Sequence, residues 1–187
     1  MNNYTLILAS GSPRRKQILL EAGINFLVKP ANIDEENYPK NLDVHEVPAY
    51  LAKLKAEAIA TTGNEVVLAA DTVVIIDNQI LGKPVDSDDA FNILSKLSGR
   101  IHQVVTGVCL KSRDKTIVFS DTTEVHFREL LKEEILYYIE KFKPFDKAGA
   151  YGIQEWIGMI GVEKINGSFY NVMGLPIVPI YQHLKNF

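Results

Sequence analysis

The sequence predicts a mixed α/β fold: an elongated mixed sheet flanked by helices, in one domain covering residues 1–187. Two observations predict the class. Strand-like apolar runs alternate with helix-period stretches through the first half of the chain, and two long strand-like runs, Ile101 to Leu110 and Thr116 to Phe127, come late. The length adds a bound. At ~150 residues per domain the chain makes one domain, or one with two lobes, and it can bury ~70% of its extended surface without disulfides or structural metals.

Each element has its own warrant. Tyr4 to Ala9 is an apolar run that reads as the first strand, and Ser10-Gly11-Ser12-Pro13 is a turn. Ser12 suits an N-cap and Pro13 the first helical position, so a helix follows to Ala22 and stops at Gly23. Phe26 to Val28 is a short strand, and Lys29 to Asn41 is a polar loop with two prolines. Val47, Leu51, Leu54 and Ala58 recur at helical spacing and predict a helix over His45 to Ala60. Val66 to Ile76 is a strand, Asp77-Asn78-Gln79 a hairpin turn, and Ile80-Leu81 a brief return into Gly82-Lys83-Pro84. Asp86 to Leu97 is a third helix with acids at its favourable end. Ser112 to Lys115 joins the two long strands as a hairpin, and Lys132 to Phe142 is a fourth helix. Asp146 to Gly174 is a glycine-rich and aromatic stretch of short apolar pieces. Leu175 to Leu184 reads as a last helix despite Pro179.

The run VVLAADTVVII, Val66 to Ile76, reads as a strand buried on both faces, yet it carries Asp71 and Thr72 at its middle. A carboxylate there is costly unless it is paired, hydrogen-bonded or bound to a metal. Asp71 therefore either performs chemistry or caps a nearby backbone turn. A second signal is the pair Arg14 and Arg15 in the first turn of a helix, where each cation opposes the dipole at ~0.3–1 kcal/mol. A bound anion would reverse that penalty and use the backbone N–H groups, with Ser10, Gly11 and Ser12 allowing close approach. The alternative is a solvated basic helix start. The turn is neither GxxxxGK[ST] nor GxGxxG.

Two lysines are candidates to face inward. Lys55 follows Leu51 by four residues and shares its helix face, whereas Lys53 points to solvent; Lys83 sits in a Gly-Lys-Pro turn. Either could snorkel or bind an anion. Asp34, Glu35 and Glu36 lie in the polar loop and would ordinarily be solvated. One of them could join Asp71 in an oxygen site for Mg²⁺ or Mn²⁺. No HExxH, CxxC or G-x-S-x-G pattern is present, which argues against a zinc site and a serine nucleophile elbow. A net charge of −3 gives no field for a nucleic-acid backbone. The single Cys109 lies in an apolar run and fits a reducing compartment. The first residues lack a signal peptide's charged region, and no run is long enough to span a membrane. A soluble cytoplasmic protein is expected. A metal, a base for water and cations for a departing phosphate are the parts that phosphoanhydride hydrolysis requires.

LILASGSPRRKQIL, LAKLKA, VVLAADTVV, ILGKP, SGRIHQVVTGV and KAGAYGIQ…INGSFYNVMGLP together resemble the Maf family of nucleoside triphosphate pyrophosphatases, nearly end to end and in the family's order. SGSPRR, AADT and AYGIQ are similar to the branch acting on dTTP and UTP rather than the methylated-GTP branch. The resemblance implies a Maf / inosine triphosphatase-like fold with a cleft between two lobes, often as a homodimer. It implies cleavage between the α- and β-phosphates, with Asp71 as proton acceptor and Glu35 and Asp71 on the divalent cation. Ser10 falls within the same substrate-binding turn; Arg15, Lys55 and Lys83 would hold phosphates, and Arg14, Thr72 and Gln154 would select the base. Choosing Glu35 rests on a loop whose length varies in the family, with Asp34 and Glu36 as alternatives. A house-cleaning activity on non-pyrimidine nucleotides, and a nucleotide-binding role in septum formation, are the competing readings.

Overall fold

The computed structural model describes residues 4–35 and 37–187. Glu36, one of the three loop acids considered for the metal, lies outside the described residues. The strands form one seven-stranded sheet in the order β2-β1-β3-β5-β6-β7, with β4 paired to β3. These are β1 Thr5–Leu8, β2 Leu27–Val28, β3 Glu65–Ile76, β4 Gln79–Leu81, β5 Ile101–Lys111, β6 Thr116–Phe127 and β7 Val162–Asn166. The chain divides into two compact units. The first comprises residues up to Thr72, Thr106–Asp121 and Gly174–Phe187; the second comprises Val73–Val105 and Thr122–Met173.

In the first unit β1 runs parallel to both β2 and β3, with Ile7 opposite Leu27 and Val67. Parallel strands are covered on both faces, and Leu6 to Ala9 and Val66 to Ala70 are accordingly buried. Helix α1, Pro13–Glu21, starts where the turn chemistry places it, with the Ser12 hydroxyl accepting the Arg15 N–H. Helix α2, Val47–Glu57, is shorter at both ends than the periodicity predicts. It packs Ala52 and Ala56 onto Ile7, Ala9, Val67, Ala69 and Cys109. Alanines on both surfaces bring helix and sheet close together. The approach is closest at Gly107 of β5, where a β-carbon would stand 2.1 Å from the Ala49 nitrogen. Helix α7, Ile177–Lys185, closes the unit, with the Tyr4 hydroxyl donating to the Leu184 carbonyl at 2.8 Å. Strand β2 is one edge of the sheet. It is two residues long, and Leu27 and Val28 are exposed.

In the second unit Asp77 and Asn78, at φ 52° and 57°, form the two-residue turn that returns β3 into β4. This is the left-handed pair a tight hairpin requires. Helix α3, Ser87–Leu97, is capped by Asp86, whose carboxylate accepts the Asp89 N–H at 2.8 Å. It packs against α4, Lys132–Phe142. The stretch that the sequence left as short apolar pieces becomes a 3₁₀ turn at Ala148–Ala150, α5 Trp156–Gly161, β7 and α6 Phe169–Met173. Among the described residues no helix is long and apolar enough to cross a membrane.

His102 is buried in this unit's core, edge-on to Phe127, with Nε2 2.7 Å from the Tyr151 hydroxyl. Burial, helped by the nearby His126 charge, lowers its pKa to about 3. The unfolded chain, with an ordinary histidine near 6.5, therefore binds the extra proton first. Stability is full above pH 6.5 and falls as pH drops from there toward 3, by up to ~1.4 kcal/mol per unit from this residue. Thermal melts at pH 7 and pH 5 should differ in that direction, and His102→Gln should flatten the slope.

Candidate active site

The first unit's geometry explains why an acid is tolerated in β3. Strand β1 pairs with β3 as far as Leu8 opposite Leu68, and the Ala9 N–H still reaches the Leu68 carbonyl at 2.8 Å. β3 continues beyond that point, so Asp71 lies past the carboxyl end of β1, alongside the turn that opens α1. In open parallel sheets ligands gather at these carboxyl ends. Asp71 is buried but not alone. Its Oδ1 accepts from Lys55 Nζ at 2.6 Å, and the same ammonium lies 2.6 Å from Glu35 Oε1. The two carboxylate oxygens share one cation and so stand no further apart than twice that distance. Lys55 is buried in the last turn of α2, where the helix dipole favours a cation. Lys53 is exposed and pairs with Glu57 at 3.8 Å.

Arg15 organises the neighbouring turn. Its Nε donates to the Gly174 carbonyl at 2.8 Å, Nη1 to Ser10 Oγ at 3.2 Å and Nη2 to Thr72 Oγ1 at 3.1 Å. Ser10 Oγ also accepts the Ser12 N–H at 3.2 Å. Burial lowers the Arg15 pKa, and the Asp71 charge pulls it back up. The side chain stays charged, as arginines do in proteins. Three of its five N–H donors are spent on the protein, and the others can serve an anion at the helix start. Arg14 is half-buried in the same first turn.

Of the sequence-predicted residues, Ser10, Arg15, Glu35, Lys55, Asp71 and Thr72 are brought together in the first unit. Lys83 and Gln154 belong to the second unit. Lys83 was expected to lie against the protein, but it is exposed, and Pro84 is the residue of that turn that is buried. Gln154 is half-buried with its Oε1 sealed from solvent, and no hydrogen bond reaches that oxygen from the described residues. Asp34 is exposed, and Glu35 reaches Lys55.

Two residues were missed. Thr106 is fully buried in β5, with its hydroxyl 3.0 Å from that of Thr72. Gly174 supplies the carbonyl that fixes Arg15. Thr106 could have been found by the signal that marked Asp71 and Thr72, a polar residue inside an apolar strand run.

Among the described residues no three His, Cys, Asp or Glu side chains gather into a metal cluster. Two carboxylates are nevertheless a donor set that suits Mg²⁺, which usually takes one or two carboxylates and completes its shell with water and phosphate oxygens.

Residues 5–187 match the family described as Maf-like protein. A dTTP/UTP pyrophosphatase of Parabacteroides distasonis is 49% identical over all of this chain and 98% of its own. A dTTP/UTP pyrophosphatase of Porphyromonas gingivalis is 50% identical over all of this chain and 96% of its own. Among solved structures, a HAM1 protein from Coxiella burnetii aligns with 66% of this chain and 73% of its own, at 15% identity and a TM-score of 0.45. With a match covering all but the first few residues and half of its positions shared with full-length relatives, the chain belongs to the Maf family.

Proposed function

We propose that this protein hydrolyses dTTP and UTP to the nucleoside monophosphate and pyrophosphate, and that the site around Asp71 performs the reaction. The observation that carries the reading is the Lys55 ammonium held between Asp71 and Glu35 beside the Arg15 turn. On this reading the group supplies a base, an oxygen donor pair and cations from the first unit. The relatives named dTTP/UTP pyrophosphatase support the choice of nucleotide.

On this reading Asp71 takes the proton of the attacking water, whose oxygen bonds to the α-phosphorus. The bond from that phosphorus to its bridge oxygen breaks, and the bridge oxygen leaves with pyrophosphate. Asp71 and Glu35 would hold a Mg²⁺ or Mn²⁺ ion, which when bound draws charge off the phosphate oxygens. Lys55 and the remaining donors of Arg15 hold phosphate charge, and the first turn of α1 offers backbone N–H groups to it. Lys83 is a further phosphate ligand. Arg14, Thr72 and Gln154 select the base; Thr72 does so with its hydroxyl held by Arg15 and Thr106. The enzyme works in the cytoplasm, where the buried Cys109 stays reduced, as a monomer or as a pair of like copies that sedimentation would distinguish.

The test is pyrophosphate release across dTTP, UTP, dCTP, dATP and dGTP, with added divalent ion and with chelator. The expected result is kcat/KM at least ~10-fold higher for dTTP and UTP than for the others, and loss of release with chelator. Equal rates across the bases would end the pyrimidine assignment. Nucleotide binding without pyrophosphate release would favour a regulatory role.

A further inference from the structure

A hydroxyl buried in an apolar strand is costly unless it is bonded. Thr106 is such a hydroxyl. It is fully buried in β5, and Val104, Val105, Val108 and Cys109 around it in the strand are buried too. Valine would fill the same space without the polar atom. The Thr106 oxygen lies 3.0 Å from Thr72 Oγ1, and Thr72 Oγ1 accepts from Arg15 Nη2 at 3.1 Å. All three residues belong to the first unit.

Each nitrogen of the Arg15 guanidinium donates once, Nε to the Gly174 carbonyl, Nη1 to Ser10 Oγ and Nη2 to Thr72 Oγ1. None of these acceptors is a carboxylate. Neutral oxygens orient the fork and leave its charge for an anion, whereas a bidentate carboxylate would occupy it. The three anchors differ in firmness. The Gly174 carbonyl is backbone, set by a φ of 108° that calls for glycine. Ser10 Oγ is held a second time by the Ser12 N–H at 3.2 Å. Thr72 Oγ1 rides on a rotatable bond, and another staggered position would carry it off Nη2. Its bond to Thr106 holds it in the position that meets Arg15. A threonine hydroxyl has one proton and two lone pairs, enough to serve both partners at once.

Successive strand residues point to opposite faces. Asp71 meets Lys55 of α2, and Thr72 meets Arg15. On β5 Gly107 abuts α2 at Ala49, and Thr106 meets Thr72. The chain of contacts from Thr106 to Arg15 therefore runs on the face of the sheet away from α2 and from the Asp71–Lys55 pair.

We propose that Thr106 is a positioning residue for Arg15, acting through the Thr72 hydroxyl to aim the remaining guanidinium donors at a phosphate group. Thr106 touches no substrate. The proposal rests on the reading that Arg15 holds phosphate charge.

The experiment compares Thr106→Val, Thr106→Ser, Arg15→Lys and the double variant Thr106→Val with Arg15→Lys. Kinetics on dTTP and dCTP are read separately for kcat and KM, with inhibition by the two products, inorganic pyrophosphate and dTMP. Arg15→Lys shows which product Arg15 holds, as the one whose inhibition weakens. Thr106→Val should weaken inhibition by that same product and raise KM, each by about five-fold, the worth of one hydrogen bond. kcat should stay within about two-fold, because the lost contact serves ground state and transition state alike. Thr106→Ser should restore both values, and Thr106→Val should add nothing once Arg15 is lysine. Unaltered product inhibition in Thr106→Val, whatever its melting temperature, would overturn the proposal. So would a change confined to the dTTP-over-dCTP ratio, which would mean that Thr72 serves the base alone. Losses in Thr106→Ser equal to those in Thr106→Val would show that the hydroxyl is not the cause. Unaltered inhibition by both products in Arg15→Lys would overturn the phosphate reading of Arg15, and the role of Thr106 with it. Should Thr106→Val melt below the assay temperature, Thr106→Ala, which removes the hydroxyl without filling its place, decides by the same readouts.

Discussion

Asp71→Asn should keep the fold and lose at least ~10² in turnover, since a positioned general base contributes ~10²–10⁴ in rate. The amide cannot take the proton from water and is a poorer metal ligand. The same variant tests the pairing. An unpaired carboxylate in so covered a strand would be a cost, and its removal would raise the melting temperature. The 2.6 Å contact with Lys55 reverses that expectation, because Asn leaves a buried ammonium with Glu35 as its remaining carboxylate contact among the described residues. A loss of ~1–3 kcal/mol follows, or a melting temperature lower by ~2–12 °C for a chain of this size. A pyrophosphate-release assay and a melt on one preparation measure both. Full turnover would remove Asp71 from the mechanism, and a higher melting temperature would mean that the pair does not form in solution.

Gly107→Ala should be the most destabilising single methyl in the first unit. The added carbon would stand 2.1 Å from the Ala49 nitrogen, 2.2 Å from the Pro48 carbonyl carbon and 2.3 Å from its oxygen. Those are backbone atoms and cannot rotate away, so β5 or the first turn of α2 must move. Overpacking typically costs ~1–3 kcal/mol and more where backbone must shift; at ~3 kcal/mol or above the melting temperature drops by ~6–12 °C. Activity should fall too, because α2 carries Lys55, and a misplacement of about 1 Å can cost ~10² in rate. Kinetics well below the melting point separate the two effects. A wild-type melting temperature in Gly107→Ala would mean that helix and strand do not meet as described.

Much of this was legible from local pattern. Ser12-Pro13 marks the start of α1, Asp86 that of α3, and Asp77-Asn78 forces a hairpin; each is a short-range rule that tertiary packing did not override. Asp71 and Thr72 stood out because polar residues in a doubly covered strand need a reason. The partners were not legible. The Lys55 stem runs along an apolar face, and whether such a lysine snorkels or is buried depends on the sheet beneath it. Arg15 looked like a phosphate ligand from its place in the helix, whereas three of its donors serve Ser10, Thr72 and Gly174, the last 159 residues away. The stretch from Asp146 to Gly174 gave no period because its elements are too short to show one. Its order comes from Tyr138, Glu155 and Lys147, a network no spacing announces.

The two-residue strand β2 has a bearing on how the protein behaves at high concentration. A sheet margin with bare N–H and C=O groups invites like chains to add on, the more so where greasy side chains such as Leu27 and Val28 stand in water. Here the margin stops almost as soon as it starts. Lys29 brings a charge and Pro30 withholds a donor, so an incoming strand would find too little ledge to continue along. The brevity of β2 thus works as a guard against fibre-like self-stacking at this edge of the sheet.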